Sequence, residues 1–124
     1  MSDPRSTFRR VKAFALKLPE AYEDHPWGES VAKVNKKIFV FLGTDVDPAN
    51  LAMIVKLSES EEQALMAPRA APAGYGLGRA GWVLVPFLEG TPPLAVLKDW
   101  VEESYRLVAP KRLVAELDAR PLRY

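Results

Sequence analysis

Prolines divide this chain into short segments. Eleven occur in 124 residues. A proline fixes φ and lacks a backbone N–H, so it suits turns and the first turn of a helix but disrupts the interior of a helix or strand. We therefore interpret the prolines as punctuation between secondary-structure elements. Those that fall where turns are needed are Pro19, Pro26, Pro48, Pro68, Pro72, Pro86, Pro92, Pro93 and Pro110.

The spacing of apolar residues predicts the elements of the N-terminal half. Residues 4–17 are predicted to form an amphipathic helix. Two apolar segments that meet near Asn35 predict a β-hairpin, because Asn tolerates positive φ at a turn. The nearly continuous apolar run 51–57 predicts a central strand. Ser58 with Glu61 resembles a capping box and predicts a short helix after that strand.

The C-terminal half begins with a connector that is rich in Pro, Ala and Gly. This connector, residues 67–81, has no periodicity and is interpreted as a long, partly mobile loop. A strand is predicted at residues 82–87. Two helices are predicted to close the chain, one after Pro93 and the other after Pro110.

These elements predict an α+β fold. The expected arrangement is a two-layer sandwich, an antiparallel sheet with helices packed on one face. The segment 38–42 is apolar at every position, which indicates a strand that is covered on both faces or lies centrally. We expect one domain over residues 1–124.

Composition excludes several classes of protein. Cysteine is absent, which excludes disulfides, thiolate zinc sites and iron–sulfur clusters. No segment approaches the roughly 18 apolar residues of a membrane helix, and we expect a cytoplasmic protein. Seventeen Lys and Arg against sixteen Asp and Glu give a formal net charge of +1, too small for a general attraction to nucleic acid. Binding to nucleic acid would therefore need a local cluster of cations.

No motif in the sequence is typical of a catalytic or metal site. Gly76, Gly78 and Gly81 follow a dinucleotide-type spacing, but they lead into a strand where that motif needs a helix. His25 is the only histidine, which excludes a multi-histidine metal site. The adjacent carboxylates at 102–103 point in different directions on a helix and are interpreted as solvated. We therefore expect no enzyme activity, no cofactor and no metal.

Positive charge is concentrated on the predicted hairpin. It carries Lys33, Lys36 and Lys37, and Arg79 in the glycine-rich connector is a candidate neighbour. Such lysines would lie against phosphates or enter a groove, although lysines also protect exposed sheet edges from aggregation. Tyr75, between two glycines, is either an exposed contact residue or a side chain that pins the connector to the core.

Longer stretches carry a family resemblance. They are residues 72–85 (PAGYGLGRAGWVLV), residues 99–108 (DWVEESYRLV), the hairpin 32–42 (AKVNKKIFVFL) and the pair Pro93-Leu94. This pattern resembles the MmcQ/YjbR family over nearly the whole chain. The resemblance implies a fold similar to that of CyaY, the bacterial frataxin, and a DNA-binding role through hairpin-like wings.

The resemblance also assigns parts to this sequence. The implied wing is residues 33–37, while the strand that begins at Trp82 and the side chain of Lys111 would be structural or peripheral. The family often has Gly before the Lys at the hairpin turn, where this chain has Lys36. Iron binding is the natural competitor for a frataxin-like fold, but frataxins use an acidic first helix. The cations of the first helix here are Arg5, Arg9, Arg10, Lys12 and Lys17.

The hypothesis from sequence is a non-enzymatic protein that binds double-stranded DNA through Lys33, Lys36 and Lys37, assisted by Arg79. The alternative is a protein or small-ligand interaction module that uses the glycine-rich connector and Tyr75 and has no nucleic-acid role. An unrecognised enzyme comes third.

Overall fold

The computed structural model of the chain describes residues 3–26, 28–43, 51–74 and 76–120. The elements in these residues are, in chain order, α1 (Pro4–Leu16), β1 (Tyr22–Asp24), β2 (Ser30–Val34), β3 (Lys37–Gly43), β4 (Ala52–Lys56), α2 (Glu61–Leu65), β5 (Ala71–Pro72), a 3-10 helix (Leu77–Ala80), β6 (Trp82–Pro86), α3 (Leu94–Val108) and α4 (Lys111–Asp118). Within the described ranges, no helix combines the length and the apolar character needed to cross a bilayer.

The strands form an antiparallel sheet in the order β1-β2-β3-β4-β6-β5. Helix α1 packs on α3, and α3 packs on β3 and β4. Helices α2 and α4 add Ala64 and Leu113 to the same buried core. The predicted α+β sandwich, with helices on one face of an antiparallel sheet, is therefore confirmed.

Strand β3 explains why residues 38–42 are apolar at both parities. Its pairing with β2 shifts register twice, so β3 contains more residues than the stretch of β2 that it faces. Such bulges change the face to which the following side chains point. Phe39, Val40 and Leu42 are all buried, and the Phe39 ring packs edge-on against Tyr105 of α3 with 5.3 Å between ring centroids. One strand therefore supplies an unusual share of the core.

Ser104 of α3 bridges β3 and β4 where their direct pairing ends. Among the described residues, β3 and β4 pair at Val40↔Val55 and Phe41↔Ile54. Beyond them, the Lys56 N–H donates to Ser104 Oγ at 2.9 Å, and the Ser104 hydroxyl donates to the carbonyl oxygen of Phe39. Ser104 is fully buried. A helix side chain thus satisfies two backbone groups that would otherwise lack a partner in the core.

Glu103 corrects two sequence-based interpretations. Its carboxylate accepts hydrogen bonds from the Ser58 N–H at 2.8 Å, the Ser60 N–H at 3.2 Å and the Ser60 hydroxyl at 2.7 Å. It is therefore no freely solvated helix carboxylate. The capping box of Ser58 and Glu61 is also wrong, because α2 has Ser60 as its N-cap and no side-chain cap of its own. The anion that satisfies this turn comes from α3, 43 residues away in sequence.

The connector between α2 and β6 is more regular than predicted. It contains the edge strand β5, which pairs with β6, and the 3-10 helix. Gly81 ends that helix with φ +94°, and a Cβ there would collide with the Leu57 carbonyl oxygen. The two backbones approach closely here, and the Leu57 N–H donates a 2.9 Å hydrogen bond to the Gly81 carbonyl oxygen. This close approach explains why position 81 needs a glycine. The edge strand β1 was also missed, because its sequence is short and polar.

Replacing Ser104 with Ala should destabilise the fold by about 2–4 kcal/mol, because it leaves a buried N–H and a buried carbonyl without partners. The measurement is urea unfolding of both proteins, which should show a lower midpoint at an unchanged m-value. Ser58→Ala is the matched control, since Ser58 is exposed and only its backbone N–H bonds to Glu103. A Ser104→Ala protein as stable as the Ser58→Ala protein would contradict the bridging role.

Glu103 should make folding stability depend on acid. Burial tends to raise the pKa of its carboxyl group, but the hydrogen bonds from Ser58 and Ser60 outweigh burial and hold the pKa below 4.5. The stabilisation is thus complete above the unfolded pKa and is lost as the pH falls through the lower, folded pKa. Glu103→Gln should cost about 1 kcal/mol at pH 7, and the difference between the two proteins should shrink as the pH is lowered. Urea midpoints between pH 7 and pH 2 test this, and a constant difference between the two proteins would contradict it.

Candidate nucleic-acid interface

The β2–β3 hairpin closes through two residues in the left-handed region. Asn35 has φ +51° and Lys36 has φ +66°, and the flanking Val34 and Lys37 are paired. Positive φ at both central residues defines a type I′ turn, whose twist matches that of the two strands. The prediction of a hairpin turn near Asn35 is confirmed. Lys36 occupies the position at which Gly is favoured.

The tip of this hairpin extends past the ladder between β3 and β4. Pairing with β2 continues to Lys37, whereas the direct pairing of β3 with β4 begins only at Val40. Val34, which directly precedes the turn, and Phe39 are fully buried in the core. Asn35, Lys36 and Lys37 are exposed. The hairpin therefore ends in a short, exposed, cationic tip that is anchored in the core on both strands.

Two further cations lie at the same end of the sheet. Because β3 and β4 are antiparallel, the start of β3 lies beside the end of β4, where Lys56 pairs with the first residue of β6. The 3-10 helix that carries Arg79 joins β6 at this point, and Arg79 is exposed. We call Lys36, Lys37, Lys56 and Arg79 the basic end of the sheet. Lys56 was not singled out from sequence, although a lysine within an apolar strand was a usable signal.

The cations of the basic end form no ion pair with any carboxylate in the described part of the chain. The acidic residue nearest to it in sequence is Glu59, which is exposed and follows Lys56 by three residues. Four positive charges on three elements therefore converge without a neutralising partner among the described residues. Such a surface attracts anions at long range.

Lys33 occupies a different environment from the other hairpin lysines. Its Nζ lies 3.1 Å from Asp24 Oδ2 on the edge strand β1, and its side chain is only 20% exposed. The pKa of Asp24 is lowered by a hydrogen bond from the His25 N–H and by the bond from Lys33. The structure thus places Lys33 at the base of the hairpin, beside a carboxylate that would compete with a phosphate.

Several cations outside the basic end are neutralised. Arg106 contacts Asp118 at 2.7 Å and Glu102 at 3.1 Å, and these bonds raise the pKa of the guanidinium. Arg112 contacts Glu20 at 3.1 Å. The arginines on the outer face of α1 are exposed, and no ion pair links them to a carboxylate among the described residues: Arg5, Arg9 and Arg10.

His25 belongs to a small polar network at the opposite edge. Glu23 Oε2 lies 2.6 Å from Lys12 Nζ, 2.6 Å from the Ser30 hydroxyl and 3.2 Å from His25 Nε2. Burial tends to raise the pKa of Glu23, but the bonds from Lys12 and Ser30 lower it further than burial raises it. This network fastens β1 to β2 and α1. Across the described ranges, no three His, Cys, Asp or Glu side chains converge in a way that could hold a metal ion.

A cavity of about 690 Å³ lies at the far end of the molecule, between the start of α1 and the start of α3. Apolar residues supply much of its lining, and Asp3 and Glu89 are the acidic residues in it. It contains none of the residues predicted from sequence to bind a ligand. Tyr75, the predicted contact of the connector, lies outside the described residues.

Comparison with known proteins identifies the family to which the chain belongs. The crystal structure of protein DR2400 from Deinococcus radiodurans, which carries the family-model domain DUF419, matches with a TM-score of 0.70 at 25% sequence identity. The match covers 97% of this chain and 94% of that chain. No protein with a curated description matches the sequence. The model of the YjbR family matches residues 16–107, from the end of α1 to the end of α3. The resemblance found in the sequence is therefore confirmed, and the chain belongs to the YjbR family.

Proposed function

We propose that this protein binds double-stranded DNA without catalysing a reaction, and that the basic end of the sheet contacts the phosphates. The observation that carries the proposal is the position of Lys36, Lys37, Lys56 and Arg79 at one end of the sheet, without an acidic partner among the described residues. Lysine ammonium groups on flexible stems suit phosphates as point charges and carry no sequence information. Binding of this kind is nonspecific and sensitive to salt.

The shape of the hairpin favours it over α1 as the DNA-binding element. A two-stranded ribbon fits the major groove of B-DNA, which is about 12 Å wide. The hairpin offers the end of such a ribbon, since Asn35, Lys36 and Lys37 are exposed while Val34 and Phe39 hold both strands in the core. The exposed arginines of α1 lie instead along a helix that packs on α3. Because the major groove also admits a helix, α1 is the surface against which the hairpin has to be tested.

The hairpin lysines should account for part of the affinity and of its salt dependence. Fluorescence anisotropy of a labelled mixed-sequence duplex, at several salt concentrations, compares wild type with Lys36→Ala/Lys37→Ala. We expect weaker binding and a slope of log K against log salt that is shallower by roughly one unit per lost phosphate contact. Arg9→Ala/Arg10→Ala is the matched control, because it removes the same charge from exposed positions on a helix that tolerates Ala.

The control decides between two surfaces. If only the hairpin variant loses affinity, the basic end is the interface. If only the Arg9→Ala/Arg10→Ala protein loses affinity, α1 is the interface and the proposal fails. Equal losses would indicate dependence on total charge rather than on the hairpin. No binding of duplex by wild type at low salt would also refute the proposal.

Lys36→Gly should change folding stability and affinity for duplex DNA in opposite directions. A lysine with φ +66° is strained in the left-handed region, and glycine removes this strain at some cost in unfolded-state entropy. We expect the variant to be about 0.5 kcal/mol more stable in urea unfolding, yet to bind duplex DNA more weakly. Lys37→Gly is the control: it removes the same charge from a strand position and should lower stability by about 0.5–1 kcal/mol. A loss of stability in Lys36→Gly would contradict this account of the turn.

A small-ligand interaction module is the second candidate, and the cavity between α1 and α3 favours it. Its volume of about 690 Å³ falls within the range of about 300–1,000 Å³ that is typical of small-molecule sites. Its carboxylates, Asp3 and Glu89, would suit a ligand with a positively charged group. This function uses a different end of the molecule from the basic end. Failure of DNA binding would therefore leave it standing.

A further inference from the structure

The sheet has a second face, opposite the helices, whose composition is distinctive. Register fixes which side chains share it, because residues alternate between faces along each strand. Met53, Val55, Val83 and Val85 are buried on the helix side. Their strand neighbours therefore point the other way, and each is only partly buried. We call them, with Phe41 of β3, the open face: Phe41, Ile54, Lys56, Trp82 and Leu84.

The aromatic pair at the centre of the open face differs from the aromatics of the core. The rings of Phe41 and Trp82 meet edge to face with 5.5 Å between centroids, so both lie on the same side of the sheet. Each is partly exposed. By contrast, two aromatic residues of α3 are buried in the core: Trp100 is 2% exposed and Tyr105 is fully buried. Partly exposed aromatic rings on a sheet are the kind of surface on which unpaired bases stack.

Cations flank this aromatic pair. Lys56 is the direct cross-strand partner of Trp82, and Lys33 lies on the same face because it follows Val31, the partner of Phe41, by two residues. The basic end continues from Lys56 to the hairpin tip. The open face thus combines rings for bases with ammonium groups for phosphates. This is the combination that a single strand needs, while the bases of an intact duplex remain stacked inside the helix.

A second copy of the chain is a poorer occupant of this face. A two-fold interface brings the same patch of both protomers together, so a dimer across the open face would bring two copies each of Lys56 and Lys33 into one interface. Like charges brought together with loss of solvent oppose association. Asp24 beside Lys33 offers one carboxylate in partial compensation. The charge of the face therefore favours a polyanion.

We infer that the open face binds single-stranded nucleic acid, with bases stacked on Phe41 and Trp82 and phosphates at Lys56 and the basic end. The inference rests on the proposed function, because both use the same cations, and it adds the substrate class that the sheet would hold. A duplex would touch the hairpin, and an unpaired strand would also cross the sheet.

Substitutions at Trp82 test the stacking directly. Labelled twelve-nucleotide oligodeoxyuridylate and oligouridylate, which differ only in the sugar, serve as single-stranded probes, and the mixed-sequence duplex is measured in parallel. Trp82→Leu should weaken single-strand binding by about tenfold for each stacked base, while Trp82→Phe, which keeps a ring, should stay within about twofold of wild type. Duplex binding should not change in either variant. The tighter of the two oligonucleotides identifies the sugar that is preferred.

Stability is controlled separately, because Trp82 also packs on Phe41. Urea midpoints establish that each variant is folded under the assay conditions. Phe41→Leu, on β3, provides a second loss of a ring if Trp82→Leu does not fold. Equal single-strand affinity of the Leu and Phe variants at position 82 would overturn the inference. A dimer in sedimentation that Trp82→Leu dissociates would overturn it as well, in favour of a second copy.

The duplex measurements separate this inference from the proposed function. Binding of duplex with lysine-dependent affinity but no binding of either oligonucleotide would overturn the inference and leave the proposed function intact. Absence of binding to all three probes would overturn both. Loss of single-strand affinity in Trp82→Leu or Phe41→Leu, with duplex affinity retained, supports both the inference and the proposed function.

Discussion

Contact between α3 and the irregular part of β3 determines much of this structure. Three consecutive residues of α3 each fasten a different segment: Glu103 holds the turn before α2, Ser104 joins β3 to β4, and Tyr105 donates a 2.7 Å hydrogen bond to the Pro19 carbonyl oxygen. Adjacent residues on a helix point in different directions, so one turn of α3 can reach three parts of the fold. The helix thus acts as a polar as well as an apolar support for the sheet.

The irregular and the regular parts of β3 shape different surfaces. The bulge at Phe39 turns this side chain, like its neighbour Val40, toward the helices. Phe41 lies on the opposite side by ordinary alternation between the buried Val40 and Leu42. Ser104 satisfies the backbone where β3 diverges from β4, and beyond that point β3 pairs with β2 alone among the described residues. The free tip of the hairpin therefore follows from the irregular part of β3, and the aromatic pair follows from its regular part.

Local features of the sequence were enough for most of the fold, and long-range polar contacts were not. The turn at Asn35 and the strand β4 follow from φ preference and from an apolar run, which are properties of neighbouring residues. The roles of Glu103 and Ser104 depend on partners more than 40 residues away, so the residues around them in sequence contain no sign of those partners. Strand β1 could not be predicted from sequence for a related reason. It is stabilised by pairing with β2 and by the ion pair between Glu23 and Lys12.

The candidate site shows the same division. Exposure of Lys36 and Lys37 follows from their place in a turn, and sequence identified both. Two features depend on strand order, which the sequence did not reveal. They are the pairing of Lys33 with Asp24 and the position of Lys56 at the same end of the sheet as the hairpin lysines. The net charge of the whole chain is also a poor guide to local anion binding. Some cations are neutralised by ion pairs, whereas those of the basic end have no ion pair among the described residues.

The small number of cations at the basic end sets a physical limit on what they can do alone. Four phosphate contacts would give a salt slope of about −3.6, so each doubling of salt would weaken binding by roughly twelvefold. Such an interaction supplies little affinity at physiological ionic strength without a contribution that salt does not screen. Stacking on aromatic rings is one such contribution. In the proposed binding of nucleic acid, the partly exposed rings beside Lys56 are therefore as important as the lysines of the hairpin.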